Sequence, residues 1–321
     1  MQRRGWRYLA RIMNLPWWRF RCWWPLIACL PRSWAYRVAA WTARLDVHDE
    51  QSEIARFLQG MAQQLPQALP AQASNLWPLM HQRAQEMAYD QLDAYTMDRW
   101  VREQVSGQAV HWRVEGTEVL DHALHAGRQA GGGMILVIAH HGRFFQFGPG
   151  LGLAGYPFSM LTTAIAANNP AYQNDSVRWY WQRKLATTLR YAQGHLVTTQ
   201  EPLRAAYRLL QQGQILLVAL DGAETNAAQR VSIPAWGGAL HVPAGIWRMA
   251  QYTHSHLVYG SVRTATDGAL ELALKSLPED GEAAVIEALN YLREDIEQCP
   301  ESWWQWPSLP VFWQASARHV D

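Results

Sequence analysis

Two adjacent histidines, His140 and His141, stand at the end of an apolar run. A neutral imidazole can take a proton from a hydroxyl near pH 7. The run before them, residues 134–139, reads Met-Ile-Leu-Val-Ile-Ala, the pattern of a strand covered on both faces. Gly142 allows a sharp turn directly after them. Ligands and reacting groups gather at the carboxyl ends of strands in open α/β sheets. The pair therefore reads as a general-base site; the alternative is a buried, hydrogen-bonded pair. Four other histidines, His111, His195, His254 and His256, lack metal-ligand spacing and read as structural.

The elements that must carry such a site can be read from periodicity. Helical spacing covers 50–69 and 73–103, punctuated by Pro66, Pro70 and Pro78. Strands are expected at 111–115, 134–139, 158–163, 195–199 and 215–220. Helices are expected at 118–128, 173–189, 201–212, 243–251 and 282–298. A strand pair over 257–263 and 269–275 turns at Asp267-Gly268. The strand at 215–220 ends at Asp221, which reads as a turn residue or as an acid. Gly237-Gly238 marks a tight turn, either beside an acceptor pocket or as turn chemistry alone. Alternating strands and helices predict an α/β fold: a mixed, mainly parallel central sheet flanked by helices. The organisation reads as a basic, Trp-rich segment over 1–45, a helical region over 46–106 and an α/β core over 107–314.

At 321 residues the chain can bury a large core, and its formal net charge of +1 gives no global field for nucleic acid. The charge is unevenly placed. No acidic residue precedes Asp46, whereas Arg3, Arg4, Arg7, Arg11, Arg19, Arg21, Arg32, Arg37 and Arg44 are all basic. Trp6, Trp17, Trp18, Trp23, Trp24, Trp34 and Trp41 fall in the same stretch. Its longest apolar piece, 22–30, holds Pro25 and is far short of the about 20 residues a spanning helix needs. No small-residue cleavage site follows it, so no secretory signal is read. Arginine with tryptophan suits an anionic membrane surface; the alternative is an amphipathic helix packed on the body of the protein. Cys22, Cys29 and Cys299 form neither a disulfide framework nor a metal motif and fit a reducing compartment. No cofactor or metal motif is found.

From Val114 to Trp313 the order of motifs resembles the bacterial lipid A biosynthesis acyltransferases, within the lysophospholipid acyltransferase group. His140-His141-Gly142-Arg143-Phe144-Phe145 lies over that family's histidine, four residues, then Glu or Asp. A helix, Gly213 and a strand ending in Asp221 follow, then Ile233-Pro234-Ala235-Trp236-Gly237, similar to the family's Val-Pro-Phe-Phe-Gly. Pro300-Glu301-Ser302-Trp303-Trp304-Gln305-Trp306 resembles its Pro-x-x-Trp-x-Trp. The resemblance implies acyl transfer from acyl carrier protein or acyl-CoA to a hydroxyl of a membrane glycolipid, at the cytoplasmic face of the inner membrane. Histidine would be the base and an acid its partner, with backbone N–H groups or an arginine for the oxyanion.

The chain departs from that pattern at the acid. Position 145 is Phe, and counting from His141 places Gln146 there, a neutral isostere of Glu. Loss of the orienting carboxylate in a comparable triad costs about ten-thousand-fold in rate. Asp221, Glu224 or Glu115 could serve instead, or the histidine could work alone. Where the family often has Tyr-Arg, this chain has Thr162-Thr163, so a cation for an acceptor phosphate is either missing or supplied by Arg143, Arg178 or Arg230. Arg143 is also the oxyanion candidate, weighed against a solvated arginine. His140, in the family's position, is favoured as base over His141. Besides an acyltransferase, the sequence leaves open a non-catalytic relative that binds acyl chains or scaffolds lipid enzymes. An α/β hydrolase is disfavoured, because no Gly-x-Ser-x-Gly elbow occurs.

Overall fold

The structure, a computed structural model, describes residues 12, 14–47, 53–200, 202–222 and 229–316. Short helical pieces at Pro16–Trp18, Arg19–Trp23 (a π turn) and Trp24–Ala28 are followed by α1 (Arg32–Asp46), α2 (Glu53–Ala68) and α3 (Leu76–Val105). Then come β1 (Trp112–Glu115), α4 (Thr117–Gln129), β2 (Met134–Ile138), α5 (Phe147–Leu153), β3 (Phe158–Thr162) and α6 (Asp175–Ala192). β4 (Leu196–Thr198), α7 (Arg204–Gln211), β5 (Ile215–Ala219), β6 (Arg230–Ala235) and β7 (Gly238–Pro243) follow. The chain closes with α8 (Gly245–Thr253), β8 (His256–Thr264), β9 (Leu270–Ser276), α9 (Gly281–Gln298) and β10 (Trp313–Ala315).

The chain divides into two compact units. The first takes the described residues up to Ala109 together with Ile165–Thr187, and the second takes Val110–Ala164 and the residues from Thr188 onward. The described residues of both the expected 1–45 segment and the 46–106 region thus fall in one unit. The segment 165–187, which the sequence places in the α/β core, clusters with them. α6 is divided: its residues to Thr187 belong to the first unit and the remainder to the second.

In the second unit the continuous apolar runs become neighbouring central strands. Every residue of β2 is buried, as are four of the five in β5, because a strand flanked by other strands and covered on both faces has no solvent side. The seven-stranded sheet has the order β1-β9-β8-β2-β5-β3-β4. β8, β2, β5, β3 and β4 run parallel, and β9 with β1 runs antiparallel to β8. The mixed, mainly parallel α/β sheet is therefore as expected. From β2 the chain goes to β3, beyond β5; from β5 it goes eventually to β8, on the far side of β2. Connections diverge between β2 and β5, which is the crevice where open α/β sheets hold their ligands.

A three-stranded antiparallel sheet, β10-β7-β6, has no counterpart in the sequence reading. Trp236 (φ +54°) and Gly237 (φ +71°) form the two-residue turn of its hairpin, both in the left-handed region such hairpin turns require. Pro234 is tolerated because β6 is an edge strand.

The first unit is helical. α3 packs against α1 and α2, with Trp24, Ala35, Ala39, Leu58, Ala84, Ala88 and Leu92 buried among them. Two ion pairs are buried there. Arg19 grips Asp46 with both terminal nitrogens, at 2.7 and 2.9 Å, and Lys184 on α6 bonds Asp90 on α3. Arg19 and Trp24 therefore face inward, whereas Arg21, Arg37 and Arg44 are exposed. Arg3, Arg4, Trp6, Arg7 and Arg11 lie outside the described residues. Among the described residues no helix is long and apolar enough to cross a membrane.

Candidate functional site

His140 follows β2 and Asp221 follows β5, so the parallel pairing of those strands sets the two side by side. Asp221 receives three hydrogen bonds from His140 and one from an indole. The backbone N–H of His140 donates to both carboxylate oxygens, at 2.9 and 3.1 Å. Nδ1 of the ring lies 2.8 Å from Oδ1, and Trp303 Nε1 donates to Oδ2 at 2.8 Å. A carboxylate on Nδ1 fixes the tautomer that carries its proton there and leaves Nε2 with a lone pair. Burial disfavours the imidazolium, but the Asp221 charge and its hydrogen bonds together outweigh it and hold the His140 pKa above 6.5. Burial likewise pushes Asp221 up, and the histidine with its hydrogen bonds overcomes this and holds the carboxyl below 3.8.

A loop near the carboxyl terminus clamps this turn. Trp304 N–H donates to the His140 carbonyl at 2.8 Å, and Gly142 N–H donates to the Ser302 carbonyl at 2.9 Å. His141 and Trp303 form an isolated antiparallel bridge, and Trp304 Nε1 donates to the Gly142 carbonyl at 2.8 Å. Gly142 has φ +60°, and a Cβ there would stand 2.7 Å from the Val262 carbonyl. Glycine is required by both conformation and space. The Gln305 amide nitrogen is 3.3 Å from His140 Nδ1.

His140 lines a cavity of about 440 Å3 at the carboxyl ends of β2, β3, β4 and β5. Leu161, Val218, Leu220, Ile246 and Met249 give it apolar walls, and Thr162, Thr163 and Thr199 add hydroxyls. Arg248 lines it as well. A large apolar cavity with a few convergent polar groups and a pKa-shifted histidine has the form of a small-ligand site.

The other sequence candidates are dispersed. His141 is buried and its Nε2 lies 3.1 Å from the Cys299 carbonyl. Gln146 is buried, and its Oε1 accepts from Trp112 Nε1 at 3.1 Å. Arg143 is buried beside Thr264, with Nη2 3.3 Å from Oγ1. Arg178 belongs to the first unit, where it bonds the Tyr172 carbonyl and Asp175. Arg230 donates to the Val311 carbonyl at 3.2 Å. Gly237 sits in the β6–β7 turn with φ +71°, and Gly238 opens β7, where a Cβ would meet the Gln314 carbonyl of β10 at 2.2 Å; turn chemistry and close strand packing explain them. The cavity lining includes Arg248 and none of the three arginines expected from the sequence. Of the alternative acids, Asp221 takes the place; Glu224 lies outside the described residues. Glu115 is exposed at the end of β1.

Trp303, Gln305 and Arg248 are the residues that sequence reasoning did not assign to the site. Trp303 reads as core packing, and it does pack against Trp306 at 5.1 Å, but its indole N–H also reaches the dyad. No family model matches the chain, and no curated protein matches it.

Proposed function

We propose that this chain is an O-acyltransferase that moves a fatty acyl group from an acyl thioester to a hydroxyl of a membrane glycolipid or lipid. The observation that carries the reading is the His140–Asp221 pair opening on an apolar cavity at the sheet's crevice. Nε2 of His140 takes the acceptor's hydroxyl proton as that oxygen attacks the thioester carbon. Asp221 stabilises the imidazolium that forms. The tetrahedral intermediate collapses, the C–S bond breaks and the sulfur leaves with the proton from Nε2, which yields ester and free thiol. The leucines, Ile246 and Met249 suit an acyl chain, and Arg248 suits an anionic group of the donor or acceptor. The alternative, a non-catalytic relative, rests on the lack of an acid in the motif; the Asp221 carboxylate beside His140 supports the catalytic reading instead.

The test is turnover of acyl carrier protein thioester and acyl-CoA with lipid extract as acceptor. His140→Ala should abolish transfer, and Asp221→Asn should lower kcat by about ten-thousand-fold, the loss seen when an orienting carboxylate is neutralised in a comparable triad. His141→Ala should retain kcat per folded molecule. Undiminished transfer by His140→Ala would overturn the reading.

A further inference from the structure

The outer face of α1 carries four residues that the dyad chemistry does not use. Trp34, Arg37, Trp41 and Arg44 are spaced three, four and three apart. At 3.6 residues per turn they fall within about 80° of one another around the helix. Trp34 is 58% exposed and Trp41 37%, and both arginines are exposed. The opposite face, with Ala35, Ala39, Thr42 and Ala43, is buried. The Arg37 guanidinium lies over the Trp34 ring at 5.5 Å, and no ion pair among the described residues engages Arg37 or Arg44. Leu15, just before the first helical piece, and Trp17 and Leu26, within the pieces that precede α1, are exposed, at 56%, 63% and 62%.

Large indoles in water are costly unless a partner covers them. Charge identifies the partner. The chain carries no carboxylate side chain before Asp46, and Asp46 is consumed by Arg19 inside the unit. A two-fold pairing of this face with itself would gather four arginines with no carboxylate of the segment to offset them. We propose that the α1 face seats the protein on an anionic lipid bilayer. The indoles lie at the level of the headgroups, and Arg37 and Arg44 meet lipid phosphates. This surface is independent of the acyl-transfer reading, because binding needs no thioester.

The experiment is flotation of the full chain with vesicles of phosphatidylcholine alone or containing phosphatidylglycerol. The parent should float with the anionic vesicles and less with the neutral ones, and salt should weaken the difference. Arg37→Gln with Arg44→Gln should weaken anionic binding at least about tenfold, from two lost lipid contacts. Trp34→Ala with Trp41→Ala should weaken binding to both vesicle types; Trp41 also packs against Trp23 with ring centroids 6.5 Å apart, so Trp34→Ala alone, at the more exposed ring, should weaken binding with an unchanged melting temperature. Flotation of both double variants like the parent would overturn the proposal. So would a parent that stays lipid-free, including one that dimerises through this face. Transfer to acceptor in detergent micelles reports separately on the acyl-transfer reading, and both double variants should keep it.

Discussion

At the residue scale the site is defined by what Asp221 receives. Its four hydrogen bonds come from one backbone amide, one imidazole and one indole. The indole bond is the one whose removal leaves the strands intact. Trp303→Phe keeps an aromatic ring against Trp306 and deletes the N–H. A hydrogen bond to a charged group contributes about 1.5–3 kcal/mol, so kcat should fall by about tenfold to a hundredfold. A carboxylate robbed of that donor is more basic and holds the imidazole's proton more firmly. The acid limb of the kcat/KM profile should therefore move to higher pH, with the thioester KM unchanged. A loss confined to KM, on an unmoved profile, would mean that Trp303 only packs.

The element scale explains what the sequence could and could not disclose. β2 and β5 were legible because each is a short unbroken apolar run, and the histidines were legible because they end one. The pairing of His140 with Asp221 was legible only as one of three alternatives, beside Glu224 and Glu115, since 81 residues separate the two and only the β2–β5 register joins them. Gln146 drew attention by its spacing from His141, yet its amide oxygen serves Trp112. Arg143 looked like a solvated or phosphate-binding arginine on a loop; it is buried beside Thr264. The β6–β7 hairpin escaped because Trp236-Gly237 lacks the usual Asn-Gly signal, although β6 alternates exposed and buried along its length. In the helical unit the same blindness to distant pairing hid Lys184 and Asp90. Burial lowers the Lys184 pKa against the pull of Asp90, so the ammonium depends on that carboxylate. Asp90→Asn should cost about 3–5 kcal/mol, the cost of leaving a buried charge unpaired. Asp90→Leu with Lys184→Met should recover most of it, and urea denaturation measures both. A cost below about 1 kcal/mol for Asp90→Asn would place water beside the lysine.

At the scale of the whole molecule the dyad sets stability against activity. His140 is held above its ordinary value of 6.5, so the folded chain binds that proton more tightly than the unfolded one. Its contribution is complete below about pH 6.5 and drains away as pH rises through the raised value. Asp221 is held below 3.8; its contribution is complete above about pH 4 and is lost as pH falls through the lowered value. The two overlap between about pH 4 and 6.5, where the pair is a cation beside an anion and stabilises the fold most. A general base needs the opposite, an imidazole that has given up its proton. The chain should be stablest at a pH where it turns over slowly, and should gain activity as the dyad's contribution to stability fades, a trade that active sites commonly make. The excess in melting temperature of the parent over His140→Gln should be largest near pH 5 to 6 and should shrink above pH 7. Over the same upward range kcat/KM of the parent should climb. A stability gap that stays flat from pH 5 to 9 would mean that the imidazole is neutral throughout, held by a hydrogen bond rather than by charge.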